Sequence, residues 1–218
     1  MEIFNVLAGE APYLFKGLLI TIELLVGLLS VGLVGGLFLA VLEVYGGKIA
    51  SKVAMLIQRG LRAVPALVLL FLSYYALDFP PLFTSILALG LRSSAYQSQI
   101  FRGAIQSIKS GQMMAARSMG MTMVQGVWHV VIPQAIRLAI GPWSNEFASE
   151  TKDTSLAYVV GVVEIMRRSR YIISYTYGNA LLIYGIVALV YLVLTRTGNA
   201  FLYWLEDRLW VPGFERRD

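Results

Sequence analysis

Two charge-free runs frame this chain. Between Glu23 and Glu43 stand nineteen uncharged residues, LLVGLLSVGLVGGLFLAVL, and Tyr171–Thr195 is a second run of twenty-five. At about 1.5 Å per helical residue, such runs nearly or fully cross a ~30 Å hydrocarbon core. The first span is placed at about residues 14–44. A basic stretch follows with Lys48, Lys52, Arg59 and Arg62. The second span covers about 56–77 and includes Pro65, and Asp78-Phe79-Pro80-Pro81 makes a tight turn, because proline stops a helix. A third span, about 82–103, carries Arg92, and a long polar stretch comes next. A fourth, weak span lies at about 134–152. Segment 153–175 is too polar to span and too apolar for a plain loop. The last span begins near Tyr177 and runs to about Leu205. The pattern predicts an all-α integral membrane protein of about five transmembrane helices.

Composition strengthens that picture. Of 218 residues 57% are hydrophobic and only 14% charged, against about a quarter charged in soluble domains. Mean hydropathy is +0.68. There is no Cys and a single His, His129, which removes thiol chemistry, disulfides and thiolate metal sites and disfavours a zinc site. The net charge of +5 is read as cytoplasmic loops, not as a nucleic-acid signal. With the N-terminus outside, segments 46–62, 102–137 and 196–218 face inward and hold twelve Lys/Arg, while outward segments hold five: Lys16, Lys152, Arg167, Arg168 and Arg170. This predicts N-out, C-in. The N-terminal MEIFNVLAGEAPYLFKG lacks a basic n-region, so no cleaved signal peptide is read there. No internal repeat or linker divides residues 1–218, which are read as one transmembrane domain. Five spans leave no room for the paired repeats of a secondary transporter, so a pathway is expected between two chains.

The polar stretch GQMMAARSMGMTMVQGVWHVVIPQA, residues 111–135, falls on the cytoplasmic side. Its Ala, Met and Arg residues are good helix formers, and Gly120 sits where a short helix would stop. Met113, Ala116 and Gly120 share one apolar face at i, i+3, i+7. Such a helix either lies on lipid headgroups or buries itself in a protein groove.

The spacing favours the groove. Ala115-Ala116, three residues, Gly120, nine residues and Val130-Val131-Ile132-Pro133 resemble the EAA motif of ABC importer permeases, E-A-A-x3-G-x9-I-x-L-P. Ala95–Gly111 (AYQSQIFRGAIQSIKSG), Ser144-Asn145-Glu146-Phe147, Lys152-Asp153-Thr154-Ser155-Leu156 and Arg62-Ala63-Val64-Pro65 before LVLLFLSYYAL extend the likeness over about residues 14–205. Together they resemble the polar amino acid subfamily. That resemblance implies a type I importer permease fold with a cytoplasmic coupling-helix loop at about 104–133. It implies two permease subunits, as homodimer or heterodimer, in a prokaryotic plasma (inner) membrane. Cytoplasmic ABC ATPase subunits would bind ATP and magnesium, this chain holding no cofactor. An extracytoplasmic amino-acid-binding protein would deliver an amino acid substrate. Contact with the ATPase would fall to Gln112, Met114, Ala115, Ala116, Arg117, Gly120 and Pro133. Two positions depart from the family: Met114 stands at the motif Glu, and Gln99 where the subfamily usually has Glu.

Ionisable groups inside spans are costly and usually functional. Arg92, Tyr96 and Gln99 share one face of the third span, and Asn145, Glu146 and Glu150 lie on the fourth. Facing one another, they would build a polar patch for a zwitterion, with Arg92 for its carboxylate and Glu146 or Glu150 for its ammonium. An internal Arg92–Glu146 ion pair is the competing reading. The charge balance leaves acidic, neutral and basic amino acids open. Glu164, Arg167, Arg168 and Arg170 lie on the outer side, where the three arginines would dock the binding protein or form a solvated face. Gly32 and Gly36 form a G-x-x-x-G suited to close helix packing, and Trp143, Trp204 and Trp210 are read as interface anchors. His129 is given no role. A membrane enzyme is disfavoured by the lack of Cys and of any His cluster. An ATP-independent secondary amino acid carrier, a channel, and an ABC permease for another small solute are the remaining alternatives.

Overall fold

The computed structural model describes residues 2–176 and 180–209, and every regular element among them is helical. Helix α1 (Glu2–Tyr45) is followed by α2 (Gly47–Ala63), α3 (Ala66–Ala76), α4 (Pro81–Ser107), α5 (Ser110–Ser118) and α6 (Met123–Gly126). A π turn, Val127–Val131, leads into α7 (Ile132–Asp153). A 3-10 segment (Thr154–Val160), α8 (Ile165–Thr176) and α9 (Ala180–Arg208) complete the order. The start assigned to the last span near Tyr177, and Trp210, lie outside the described residues.

Among the described residues three runs are long and apolar enough to cross a bilayer: Gly9–Tyr45, Met123–Val160 and Ala180–Arg208. The span placed at 56–77 is not one straight helix. It divides into α2 and α3, bent by 102°. The cause is Pro65, which lacks an N–H and drives the preceding residue out of the helical region; Val64 is extended at φ −83°, ψ 128°. Counted as one broken span, the pair makes a fourth crossing. Helix α4, with 27 residues, is long enough at about 1.5 Å per residue but is too polar to pass by composition.

That polarity is buried. Ser85, Ser93, Ser94, Gln97 and Ser98 are all shielded, and most of the hydroxyls are satisfied locally, as Ser94 Oγ donates to the Leu91 carbonyl at 2.6 Å and Ser98 Oγ to that of Ala95 at 2.8 Å. Small residues let α1 approach this seam closely. A Cβ on Gly36 would meet the Ser94 carbonyl oxygen and the Ser98 nitrogen, each at 3.0 Å, so the G-x-x-x-G packs α1 onto α4. Gln97, fully buried, accepts from Trp143 Nε1 at 2.8 Å. Trp143 therefore ties α7 to α4 inside the fold rather than anchoring an interface, because its indole N–H has a buried partner.

Two apolar clusters flank the seam. One gathers Leu24, Leu28, Leu70, Leu89, Ala157 and Val160. The other gathers Ala40, Phe101, Ile105, Val131, Ala135 and Ala139. Segment 153–175 resolves into the 3-10 turn and α8, divided at Gly161, whose φ of +107° favours glycine.

Candidate functional site

Helices α4 and α7 bring the charged groups together between the two apolar clusters. Arg92 Nη1 lies 2.8 Å from Asp153 Oδ2 and 3.8 Å from Glu150 Oε1. Glu146 is not its partner: that carboxylate accepts from Ser93 Oγ at 3.4 Å. The expected Arg92–Glu146 pair is thus replaced by Arg92–Asp153. The reason is readable in the spacing, since Glu146, Glu150 and Asp153 stand at i, i+4, i+7 on one face of α7, and Arg92 reaches the far end of that row. Sequence reading quoted Asp153 in a motif but did not assign it to the site.

The Arg92 guanidinium also lies 4.9 Å from the Tyr96 ring centroid, and Arg62 stacks on the same ring at 5.0 Å. Both guanidinium groups are thus within cation–π range of the Tyr96 ring. Gln99 does not join this group. It turns to α1, donating to Glu43 Oε2 at 3.4 Å, and Arg102 pairs with Glu43 Oε1 at 3.1 Å. Charge draws it there, because the buried Glu43 carboxylate needs donors. Asn145 is exposed beside Glu146. Arg92 thus faces three carboxylates: it contacts Asp153 and Glu150, the latter 1% exposed, while Glu146 is engaged by Ser93 and by its neighbour Glu150. No group of three His, Asp or Glu side chains among the described residues could hold a metal ion.

A second candidate surface lies at α5. The helix ends as expected: Gly120 has φ +86°, its N–H donates to the Arg117 carbonyl at 3.0 Å, and the Met121 N–H reaches the Ala116 carbonyl at 3.1 Å. This is a Schellman stop. The face grouped as Met113, Ala116 and Gly120 points elsewhere than expected. Ala116 is buried, and a Cβ on Gly126 would meet Met113 Sδ at 2.7 Å and the Ala116 Cβ at 3.7 Å. Small residues there let α5 pack on its own chain at α6. The outward face carries Gln112, Met114, Ala115, Arg117, Ser118 and Met119, with Met114 63% exposed. Pro133 is exposed at the start of α7. Thr122 and Gln125 form a capping box that starts α6, and His129 Nδ1 lies 2.9 Å from the Gln125 carbonyl.

On the opposite side, Glu164 is not exposed. Its carboxylate accepts the backbone N–H groups of Met166 and Arg167, both at 2.8 Å, and the Tyr191 hydroxyl at 3.2 Å. It caps α8 and links it to α9, which is why it is buried. It lies outside the spanning runs, and its burial pushes its pKa up to about 7. The arginines beside it fold back. Arg167 donates to the Tyr158 carbonyl and the Tyr171 hydroxyl, at 2.8 and 2.7 Å. Arg168 stacks over Tyr13 and Arg170 over Tyr158; Arg170 alone of the three is exposed.

Comparison with known proteins places this geometry. Residues 32–211 match the family described as "Binding-protein-dependent transport system inner membrane component". The probable amino-acid permease protein YxeN of Bacillus subtilis is 37% identical over 194 residues, covering 84% of this chain and 85% of the relative. The glutamine transport system permease protein GlnP of Escherichia coli K12 is 32% identical over 205 residues, covering 91% and 93%. Among solved structures, a crystal structure of an amino acid ABC transporter with histidines superposes with a TM-score of 0.82. It shares 32% identity and covers 94% of this chain and 98% of that one. An inward-facing methionine transporter, MetNI, shares the fold at TM-score 0.63 and 20% identity.

Proposed function

Since the chain belongs to the family of binding-protein-dependent transport system inner membrane components, we propose how its two candidate surfaces divide the work of transport. It is a permease subunit of an ATP-driven ABC importer for amino acids of the polar type. It is not an enzyme, and ATP with magnesium belongs to the partner ATPase. In the bilayer its N-terminus faces out and its C-terminus in, and it lies in a prokaryotic plasma membrane.

The outward face of α5, with Gln112, Met114, Ala115 and Arg117, sits in the ATPase socket. Ala116 and Gly120 act behind it: Ala116 seats α5 on α6, and Gly120 ends the helix. Met114 supplies a flexible apolar contact where other permeases place a carboxylate. Movement of the socket passes from α5 to α6, through the π turn and past Pro133 into α7. The observation that carries this reading is that Glu146, Glu150 and Asp153 stand on that same helical run, opposite Arg92. Rotating α7 against α4 changes how far Arg92 is neutralised.

A second permease subunit closes the pathway. Within it the substrate ammonium meets Glu146, beside Asn145, and its carboxylate competes for Arg92 beneath Tyr96. Gln99 acts one step away, by holding Glu43. The binding protein docks on the side of α8, where Arg170 offers an exposed cation and Arg167 and Arg168 present their edges.

The experiment is reconstitution of this subunit with its cognate ATPase and binding protein, followed by a screen of amino acids for stimulated ATP hydrolysis. Stimulation confined to one class of polar amino acid supports the reading. Uptake that proceeds without the ATPase, driven by an ion gradient, overturns it.

A further inference from the structure

Helix α2 exposes the wrong residues for a helix in water. Ile49 is 82% exposed, Leu56 73% and Val53 50%, while Ala54 and Gln58 are buried against the fold. Spacings of four and three put Ile49, Val53 and Leu56 along one edge. Lys48, Lys52 and Arg59, at spacings of four and seven, form another edge next to it. All three are exposed, and among the described residues no ion pair engages them. The segment from Gly47 to Ala63 contains no acid.

The helix also runs across the bundle rather than along it. Near its start, Ser51 Oγ donates to the Glu43 carbonyl at 2.8 Å, and Glu43 pairs with Arg102 of α4. Near its end, Arg62 stacks on Tyr96 of α4. From Ser51 to Arg62 α2 extends about 16 Å, while Arg102, the α4 partner of Glu43, and Tyr96, the α4 partner of Arg62, lie only about 9 Å apart along α4. The 102° bend to α3 expresses the same geometry.

We propose that α2 is an in-plane helix seated in the headgroup layer, its apolar edge in the acyl boundary and its basic edge binding anionic phospholipid. An apolar edge flanked by basic residues is the pattern of helices that lie in the membrane surface. Charge complementarity selects the occupant. A second copy meeting this face about a two-fold axis would bring the same unpaired cations together. Arg62, drawn in to Tyr96, takes no part. The assignment is independent of which solute is transported.

The test exploits the absence of cysteine in this chain. A nitroxide is placed on Val53→Cys in the permease–ATPase complex in nanodiscs of phosphatidylcholine with phosphatidylglycerol, with the unsubstituted complex as background. High accessibility to oxygen and low accessibility to a water-soluble nickel chelate are expected. Spin-labelled phosphatidylglycerol should be retained over phosphatidylcholine at the protein surface several-fold. The joint substitution Lys48→Gln, Lys52→Gln, Arg59→Gln should bring that preference down at least twofold. Nickel access at position 53 would make the face part of an aqueous cavity and overturn the proposal. Dipolar broadening between two labels would make it a contact between copies, with the same result. An unchanged lipid preference in the triple variant would remove the anionic lipid.

Discussion

Arg92 passes over Glu146, which faces it, and takes its short contact from Asp153, at 2.8 Å. The pair closes one end of a row of three carboxylates, and at the other end Glu146 meets the Ser93 hydroxyl and its neighbour Glu150. A hydrogen bond to a charged group contributes about 1.5–3 kcal/mol, so Asp153→Asn should lower transport by roughly tenfold or more. Arg92→Ala should do the same while the subunit still assembles with its partners. Uptake rate and co-purification of the ATPase, measured side by side, check both; loss of assembly would make the pair a structural clamp.

Gly120 should matter through its backbone and not through space. Nothing lies within 4 Å of a Cβ built there, yet φ is +86°. A side chain in that conformation costs about 1–2 kcal/mol, less for Asn. Gly120→Val should therefore uncouple substrate-stimulated ATP hydrolysis more severely than Gly120→Asn, with both variants reaching the membrane in normal amounts. Gly120→Trp, strained in the same backbone conformation, should abolish the stimulation as well. Full stimulation in the Val variant would detach α5 from the coupling role.

Met114 separates contact from stability. At 63% exposure its truncation to Ala should change the melting temperature of the isolated subunit very little, as surface substitutions usually fall within about 0.5 kcal/mol. Affinity for the ATPase, read by titration in detergent, should fall. Unchanged affinity would place the socket elsewhere.

The close approach of α1 to α4 predicts the opposite pattern. Gly36→Val puts atoms against the Ser94 carbonyl and the Ser98 nitrogen, backbone groups that cannot step aside. Overpacking of this kind costs about 1–3 kcal/mol. Thermal unfolding should shift to lower temperature in the subunit alone, with no ATPase present.

Glu164 gives a pH dependence with a definite sign. Its pKa rises from 4.5 to about 7 in the fold, because burial disfavours the charge more than two backbone N–H groups, Tyr191 and Arg167 favour it. Below about pH 4.5 the group is protonated in folded and unfolded chains alike. As pH rises to about 7 the unfolded chain gives up the proton first, so stability declines across that window and is flat above it. In Glu164→Gln this part of the decline should vanish. An identical pH–stability profile in the two proteins would show that the carboxyl does not titrate in the window.

The helical class, the turn at Pro80-Pro81 and the stop at Gly120 were legible because each rests on local chemistry: hydrophobic runs, a missing N–H, a glycine conformation. The α5 sequence was legible as a helix but not its orientation. Which side of a nine-residue helix turns inward depends on Gly126, a neighbour that comes close only after the chain folds. The bend at Pro65 was not read: the second span was placed across it at about 56–77, because a continuous apolar run masked the missing N–H. Asp153 could have been added to the site from its seven-residue spacing to Glu146. Glu164 could not have been read as buried, since its sequence neighbours include three arginines and its partners come from α8 and α9.

The π turn at Val127–Val131 fixes the phase of everything after it. A wider turn takes up residues that an ordinary helical turn would not, and each residue of an α-helix advances the azimuth by about 100°. The row of carboxylates on α7 therefore owes its aim toward Arg92 partly to residue count. Between Met123 and Asp153 the chain tolerates exchange of side chains far more readily than the gain or loss of one position, which would swing all three carboxylates off α4 together.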